Sequence, residues 1–151
     1  MLSDVVRRGM KSSIGLQSEK SVERRAASEA MRAAARAYAP FSEFRVGAVL
    51  EDTKGCLQAG CNIECTSIGL TLCAERVALG LALARGAKGF LRIWIYTPTQ
   101  RPTPPCGACR ELLSRVADDM TVVLLCDGQP PKRMRWKSLV PRREEFRRGS
   151  L

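Results

Sequence analysis

The chain contains no histidine among its 151 residues. That absence removes Ser-His-Asp and Cys-His catalysis. It leaves carboxylates, Lys, Tyr and Cys for general acid-base work, and any zinc site must be rich in thiolate. Aromatic residues are scarce, at 5%, too few for an obvious platform on which single-stranded bases would stack. No apolar run reaches the length of a membrane span. Arg7-Arg8 could open a twin-arginine export signal, yet Lys11-Ser12-Ser13-Ile14-Gly15 follows where an apolar stretch is needed. Neither a membrane role nor export is expected. Internal repeats, linkers and low-complexity stretches are also missing. Acidic residues number 15 against 25 Lys and Arg, for a net charge of +10. Much of the surplus lies between Lys132 and Leu151. A basic tail can bind nucleic acid, but it is more often a solvated surface or an edge between subunits.

Cysteine, by contrast, is plentiful. Seven is an odd number, and Cys106-Gly107-Ala108-Cys109 has C-x-x-C spacing. The pattern favours a reducing, cytoplasmic setting and metal use over a disulfide framework. Residues three apart at a helix start point the same way, so Cys106 and Cys109 can chelate one ion. Cys73 supplies a third sulfur. Three protein ligands leave one tetrahedral position open for water, which is the catalytic arrangement. Glu75 stands two residues after Cys73. Inside a helix such a pair diverges, and only in the first turn could both reach one ion. The motif therefore predicts a helix beginning near Thr71, itself an acceptable N-cap, and a second beginning at Cys106 behind Pro105. Two positive helix ends would then favour thiolate over thiol. A C-x-E paired with P-C-x-x-C is the pattern of zinc deaminases of nucleobases, in which the Glu carries protons and is not a ligand. Three plainer readings compete. The C-x-x-C could be a redox pair. A fourth thiolate from Cys61, Cys65 or Cys126 could close a structural zinc site. Glu75 could be an ordinary solvated helix residue.

The chain length suits one domain with a sizeable core. Residues 1–18 show no periodicity and read as a flexible N-terminal arm. A helix is expected over Glu19–Ala39, with Val22, Ala26, Ala30 (or Met31), Ala33 and Ala37 as its apolar stripe and Pro40 as its stop. Strands are expected over Phe44–Leu50 and Cys56–Ile63, joined by the turn Asp52-Thr53-Lys54-Gly55. A helix over Cys73–Arg85 is apolar nearly all round, through Val77, Leu79, Leu81 and Leu83, and should be buried. Phe90–Thr97 reads as a core strand, Cys106–Ala117 as a helix, Thr121–Cys126 as a core strand and Arg133–Trp136 as an edge strand. This order implies a mixed sheet with helices packed on it. The catalytic domain would span 19–141, leaving 142–151 as the basic tail.

Four stretches in this order resemble the cytidine deaminase family in its small, homotetrameric form. They are Tyr38-Ala39-Pro40-Phe41-Ser42-Glu43-Phe44-Arg45-Val46-Gly47-Ala48, then Asn62-Ile63-Glu64, then Thr71-Leu72-Cys73-Ala74-Glu75-Arg76, then Pro105-Cys106-Gly107-Ala108-Cys109-Arg110. The resemblance covers roughly Ala26 to Pro141. It implies a three-layer α/β fold whose mixed five-stranded sheet has helices on both faces. It implies one Zn²⁺ per chain on Cys73, Cys106 and Cys109, with Glu75 as proton shuttle. It also implies that Asn62 and Glu64 grip the ribose 3′-hydroxyl, that Phe44 packs against the pyrimidine, and that Arg76 donates to the zinc thiolates. Zn²⁺ with three thiolates carries net −1, which Arg76 could offset. The plainer readings are a surface Arg76, a polar strand end at Asn62 and Glu64, and a core Phe44. The implied reaction is hydrolysis of a free cytosine nucleoside, cytidine or deoxycytidine, to the uracil nucleoside and ammonia, by a cytoplasmic homotetramer of pyrimidine salvage. The need for a free 3′-hydroxyl counts against nucleic acid as substrate. Two stretches depart from the family. Cys65-Thr66-Ser67-Ile68 stands where Asn-Ala-Ser-Tyr is usual, and Phe146 arrives two residues late. The first departure keeps open an alternative substrate, a modified cytosine nucleoside such as a blasticidin-type antibiotic.

Overall fold

The computed structural model describes residues 4–117 and 119–140, and side chains from Ser18 onward. The elements are α1 (Asp4–Ala35), β1 (Gly47–Asp52), β2 (Leu57–Cys61), α2 (Ala74–Ala84), β3 (Phe90–Thr97), α3 (Gly107–Leu113), β4 (Thr121–Cys126) and β5 (Lys132–Arg135). The sheet is five-stranded in the order β2-β1-β3-β4-β5. Only β3 and β4 run parallel; β1 is antiparallel to β2 and β3, and β5 to β4. The central strands are continuous apolar runs because both sheet faces are covered. One face gives Val49, Trp94, Tyr96 and Val123 to α1. The other gives Ala48, Leu50, Ile93, Ile95, Val122 and Leu124 to the layer that includes α2 and α3. This is the expected three-layer α/β architecture.

Small residues set the spacing between layers. Ala26, Ala30, Ala33 and Ala34 are buried along α1, with Ala37 buried just past its end, whereas Met31 is exposed, so the stripe runs through Ala30. Gly47 lies directly beneath it, and a Cβ there would sit 1.9 Å from the Ala30 carbonyl oxygen. Gly60 does the same for α2, where a Cβ would approach the Ala78 nitrogen to 2.4 Å. Side-chain-free backbone is needed at both contacts.

Several boundaries differ from the sequence expectation. α1 begins at Asp4, not at Ser18. No proline interrupts residues 4–18, and a helix once nucleated propagates through weak formers. At its other end α1 stops at Ala35, short of Ala39, since Pro40 restricts the residue before it and Tyr38 N–H bonds the Asn62 carbonyl instead. β1 starts three residues later than Phe44 because Asn62 takes over the backbone there, as described below. α2 starts at Ala74 with Cys73 as its N-cap, so Thr71 is not the cap. α3 ends at Leu113, where the Ser114 hydroxyl turns back onto the Arg110 carbonyl. The basic tail expected over 142–151, including Phe146, lies outside the described residues.

Candidate active site

Two strand-to-helix junctions on one face of the sheet meet at a common point. Cys73 is the N-cap of α2 and Cys106 the N-cap of α3, with Cys109 in the first turn of α3. Their three Sγ atoms lie within 4.8 Å of one another, and Cys73 and Cys106 are 3.8 Å apart. Tetrahedral Zn–S bonds of about 2.3 Å separate neighbouring sulfurs by about 3.8 Å, so the spacing and the soft donors fit a zinc ion. Among the described residues no fourth His, Cys, Asp or Glu joins this group. Cys61, Cys65 and Cys126 therefore do not close it, and a fully ligated structural site is not what the fold builds.

Charge at the cluster follows from proximity. Hydrogen bonding to Cys109, then Arg76 and Cys106, holds the Cys73 thiol down at about 5 against the opposing effect of burial. Cys109 is pushed far upward, by Cys73 first and then by burial. Three sulfurs this close cannot all ionise alone; a divalent cation among them would let them. Arg76 lies alongside, with one guanidinium nitrogen on Cys73 Sγ at 3.8 Å and also on the Thr71 carbonyl. Arg110 braces the second junction through the Pro105 carbonyl at 2.8 Å and the Leu139 carbonyl at 3.1 Å.

Beside the sulfurs opens a cavity of about 220 Å³. Glu75 lines it from the first turn of α2 and is only 4% exposed. Loss of water raises its carboxyl above the usual carboxylate range. Phe44, Asn62 and Glu64 line the same cavity. Phe44 is 39% exposed, so it is not core packing. Asn62 is buried just beyond β2 and stitches the Phe44–Val46 strip in place. Its Nδ2 donates to the Phe44 carbonyl at 2.9 Å, and its Oδ1 accepts from Val46 N–H at 2.7 Å. Those bonds replace ladder bonds, which is why β1 starts late. Glu64 accepts from the N–H groups of Phe41 and Ser42 at 3.0 and 3.2 Å and from the Ser42 hydroxyl.

All of the residues singled out in the sequence thus lie in or against one cleft, with Cys109 and Arg76 behind its wall. Sequence reasoning missed its other lining residues, including Val46, Thr71, Ile95, Thr97, Thr103 and Pro104. Thr71 has a local task. Its hydroxyl bonds both the N–H and the carbonyl of Cys65, closing the turn over the segment that departs from the family. Thr97 was legible only as the last residue of a core strand. Strand ends facing a helix start are the general signal for such linings.

Comparison with known proteins agrees with this geometry. The family profile for the cytidine and deoxycytidylate deaminase zinc-binding region matches residues 20–126. A cytidine deaminase of Halalkalibacterium halodurans is 44% identical over 97 residues, 64% of this chain and 74% of that one. One from Sporosarcina psychrophila is 37% identical over 103 residues, 68% of this chain and 69% of its own. Among solved structures, the cytidine deaminase of Burkholderia pseudomallei superposes with a TM-score of 0.72 at 38% identity, covering 76% of this chain and 93% of that one. The chain belongs to the cytidine and deoxycytidylate deaminase zinc-binding family.

Proposed function

We propose that this cleft hydrolyses the 4-amino group of a free cytosine nucleoside, cytidine or deoxycytidine, giving the uracil nucleoside and ammonia. The observation that carries the reading is the three-sulfur cluster with a buried glutamate beside it, both opening into one nucleoside-sized cavity. Cys73, Cys106 and Cys109 would hold the zinc ion. When bound, zinc supplies Lewis acidity that lowers the pKa of a water from about 15.7 toward about 7.

The chain's own groups do the rest. Glu75, its carboxyl made more basic by burial, accepts the proton shed by the attacking water. It returns protons to N3 of the ring and to the departing amine. The C4–O bond forms first, one proton of the water passing to N3, where it stays in the uracil; the C4–N bond then breaks as the second proton passes from the new C4 hydroxyl through Glu75 to the amine, which leaves as ammonia. Arg76 balances the surplus negative charge of three thiolates, being within reach of Cys73 Sγ. Phe44 offers its ring face to the base. Glu64, whose acceptor sites are only partly used, takes a ribose hydroxyl, and Asn62 holds Phe44 in register. Such a hydroxyl must be free, so a strand interior fits poorly and a small-molecule substrate fits well.

We further place the enzyme in the cytoplasm, in pyrimidine salvage, as a homotetramer. All seven cysteines are free thiols, as a reducing compartment requires. Ile68 and Leu70 are 87% and 69% exposed, and Leu81, Leu83 and Leu112 are also at the surface, which suits burial against further copies. Among the described residues, no helix is long and apolar enough to cross a membrane. The test is an ultraviolet assay of cytidine, deoxycytidine, cytosine, CMP, blasticidin S and a cytosine-containing oligonucleotide, side by side. Turnover confined to the two nucleosides is the expected result; turnover of the oligonucleotide or blasticidin S alone would overturn it.

A further inference from the structure

The Ser42 hydroxyl stands inside the first family-like stretch, yet the mechanism above gives it no task. Ser42 Oγ donates to Glu64 Oε1 and accepts from Phe44 N–H at 3.0 Å. The two bonds form a relay, Phe44 N–H to Ser42 O–H to Glu64, that polarises in one direction. Between Ser42 and Phe44 stands Glu43 at φ 57°, a left-handed conformation that a side-chain-bearing residue seldom adopts. That reversal brings Phe44 N–H back onto the hydroxyl two residues earlier. The conformation persists because the loop is over-determined: Glu43 N–H bonds the Ala39 carbonyl, and Glu64 N–H bonds the Tyr38 carbonyl. Glu64 Oε2 is filled by the N–H groups of Phe41 and Ser42, leaving Oε1 with Ser42 and one unused lone pair.

We propose that Ser42 is a positioning residue for substrate, its hydroxyl fixing Glu64 and Phe44 relative to one another so that ribose and base are recognised as one rigid unit. The inference rests on the nucleoside reading above. Ser42 fills one side of Oε1 and aims the remaining lone pair at the ribose hydroxyl. Without the hydroxyl, Glu64 keeps its two backbone bonds but can turn about them, and Phe44 N–H loses its acceptor. The loss falls on discrimination at the sugar. The three cysteines and Glu75 lie on other elements and are untouched.

The test uses the zinc-loaded enzyme and two substrates, cytidine and 3′-deoxycytidine, on wild type, Ser42→Ala and Ser42→Thr. Zinc content and melting temperature are followed in each. Ser42 is exposed, so the alanine variant should fold. The wild type should favour cytidine in kcat/KM by about tenfold or more, as a site built around a hydroxyl does. Ser42→Ala should narrow the preference to within about threefold, through KM for cytidine and not through kcat, and Ser42→Thr should restore it. A Ser42→Ala variant that loses activity on both substrates equally, with the preference intact, overturns the positioning role in favour of a general loosening of the loop. A wild type that turns over neither nucleoside overturns the nucleoside reading itself, and this inference with it.

Discussion

Glu75 and Glu64 line one cavity, yet their surroundings push them in opposite directions. Burial raises Glu75. The Ser42 hydroxyl, then the Phe41 and Ser42 N–H groups, hold Glu64 below its usual range despite some opposing desolvation. Glu75→Gln keeps shape but cannot carry a proton. It should retain zinc and bind cytidine while kcat falls by about two to four orders of magnitude, measured under saturating substrate. The lowered Glu64 gives a different expectation. A carboxyl depressed in the folded state contributes above its unfolded pKa of about 4.3 and loses that contribution as pH falls through the folded value. The KM for cytidine should therefore stay level from about pH 6 to 8, with no step from Glu64, in a pH series at constant ionic strength. A KM that rises on acidification between pH 7 and 6 would show that this carboxyl is not held ionised.

At the scale of elements, the site is made by two helix starts placed on the sheet by close packing. Gly60 lets α2 lie against β2, with Ala74 and Ala78 backbone where a side chain would be. Gly60→Ala should therefore cost at least about 2 kcal/mol, read from chemical denaturation, with zinc affinity falling as Cys73 is displaced. Much of this was legible. Cys73, Glu75, Cys106 and Cys109 announce themselves because few chemistries need C-x-E and P-C-x-x-C together. β3 and β4 fall where their apolar runs place them, at Phe90–Thr97 and Thr121–Cys126. Residues whose task is set by distant partners were not legible. Asn62 shortens β1 through side-chain bonds across sixteen to eighteen positions, and no local propensity encodes that. Thr71 satisfies a turn at Cys65 in place of the helix end, because α2 starts two residues further on, with Cys73 at the N-cap position. Gly47 and Gly60 read as ordinary strand glycines until the helices above them are known.

For the molecule as a whole, the sheet divides labour between its faces: α1 seals one, and the other carries the chemistry. The all-round apolar character of α2 predicted burial, but Leu81 and Leu83 are at the surface, while Ala74, Ala78, Leu79 and Ala82 face the sheet. A sequence pattern cannot distinguish burial within one chain from burial between chains. If the homotetramer is correct, Leu81→Glu with Leu83→Glu should shift sedimentation from four chains to fewer, with the circular dichroism of a folded α/β protein retained. An unchanged sedimentation coefficient would assign those leucines another role. All of this depends on three sulfurs holding one metal ion with a position to spare. Zinc-edge X-ray absorption on the purified protein tests that directly. About one zinc per chain is expected, with three sulfur neighbours at about 2.3 Å and one lighter neighbour at about 2.0 Å. Four sulfur neighbours, or a folded protein that takes up no zinc, would contradict it.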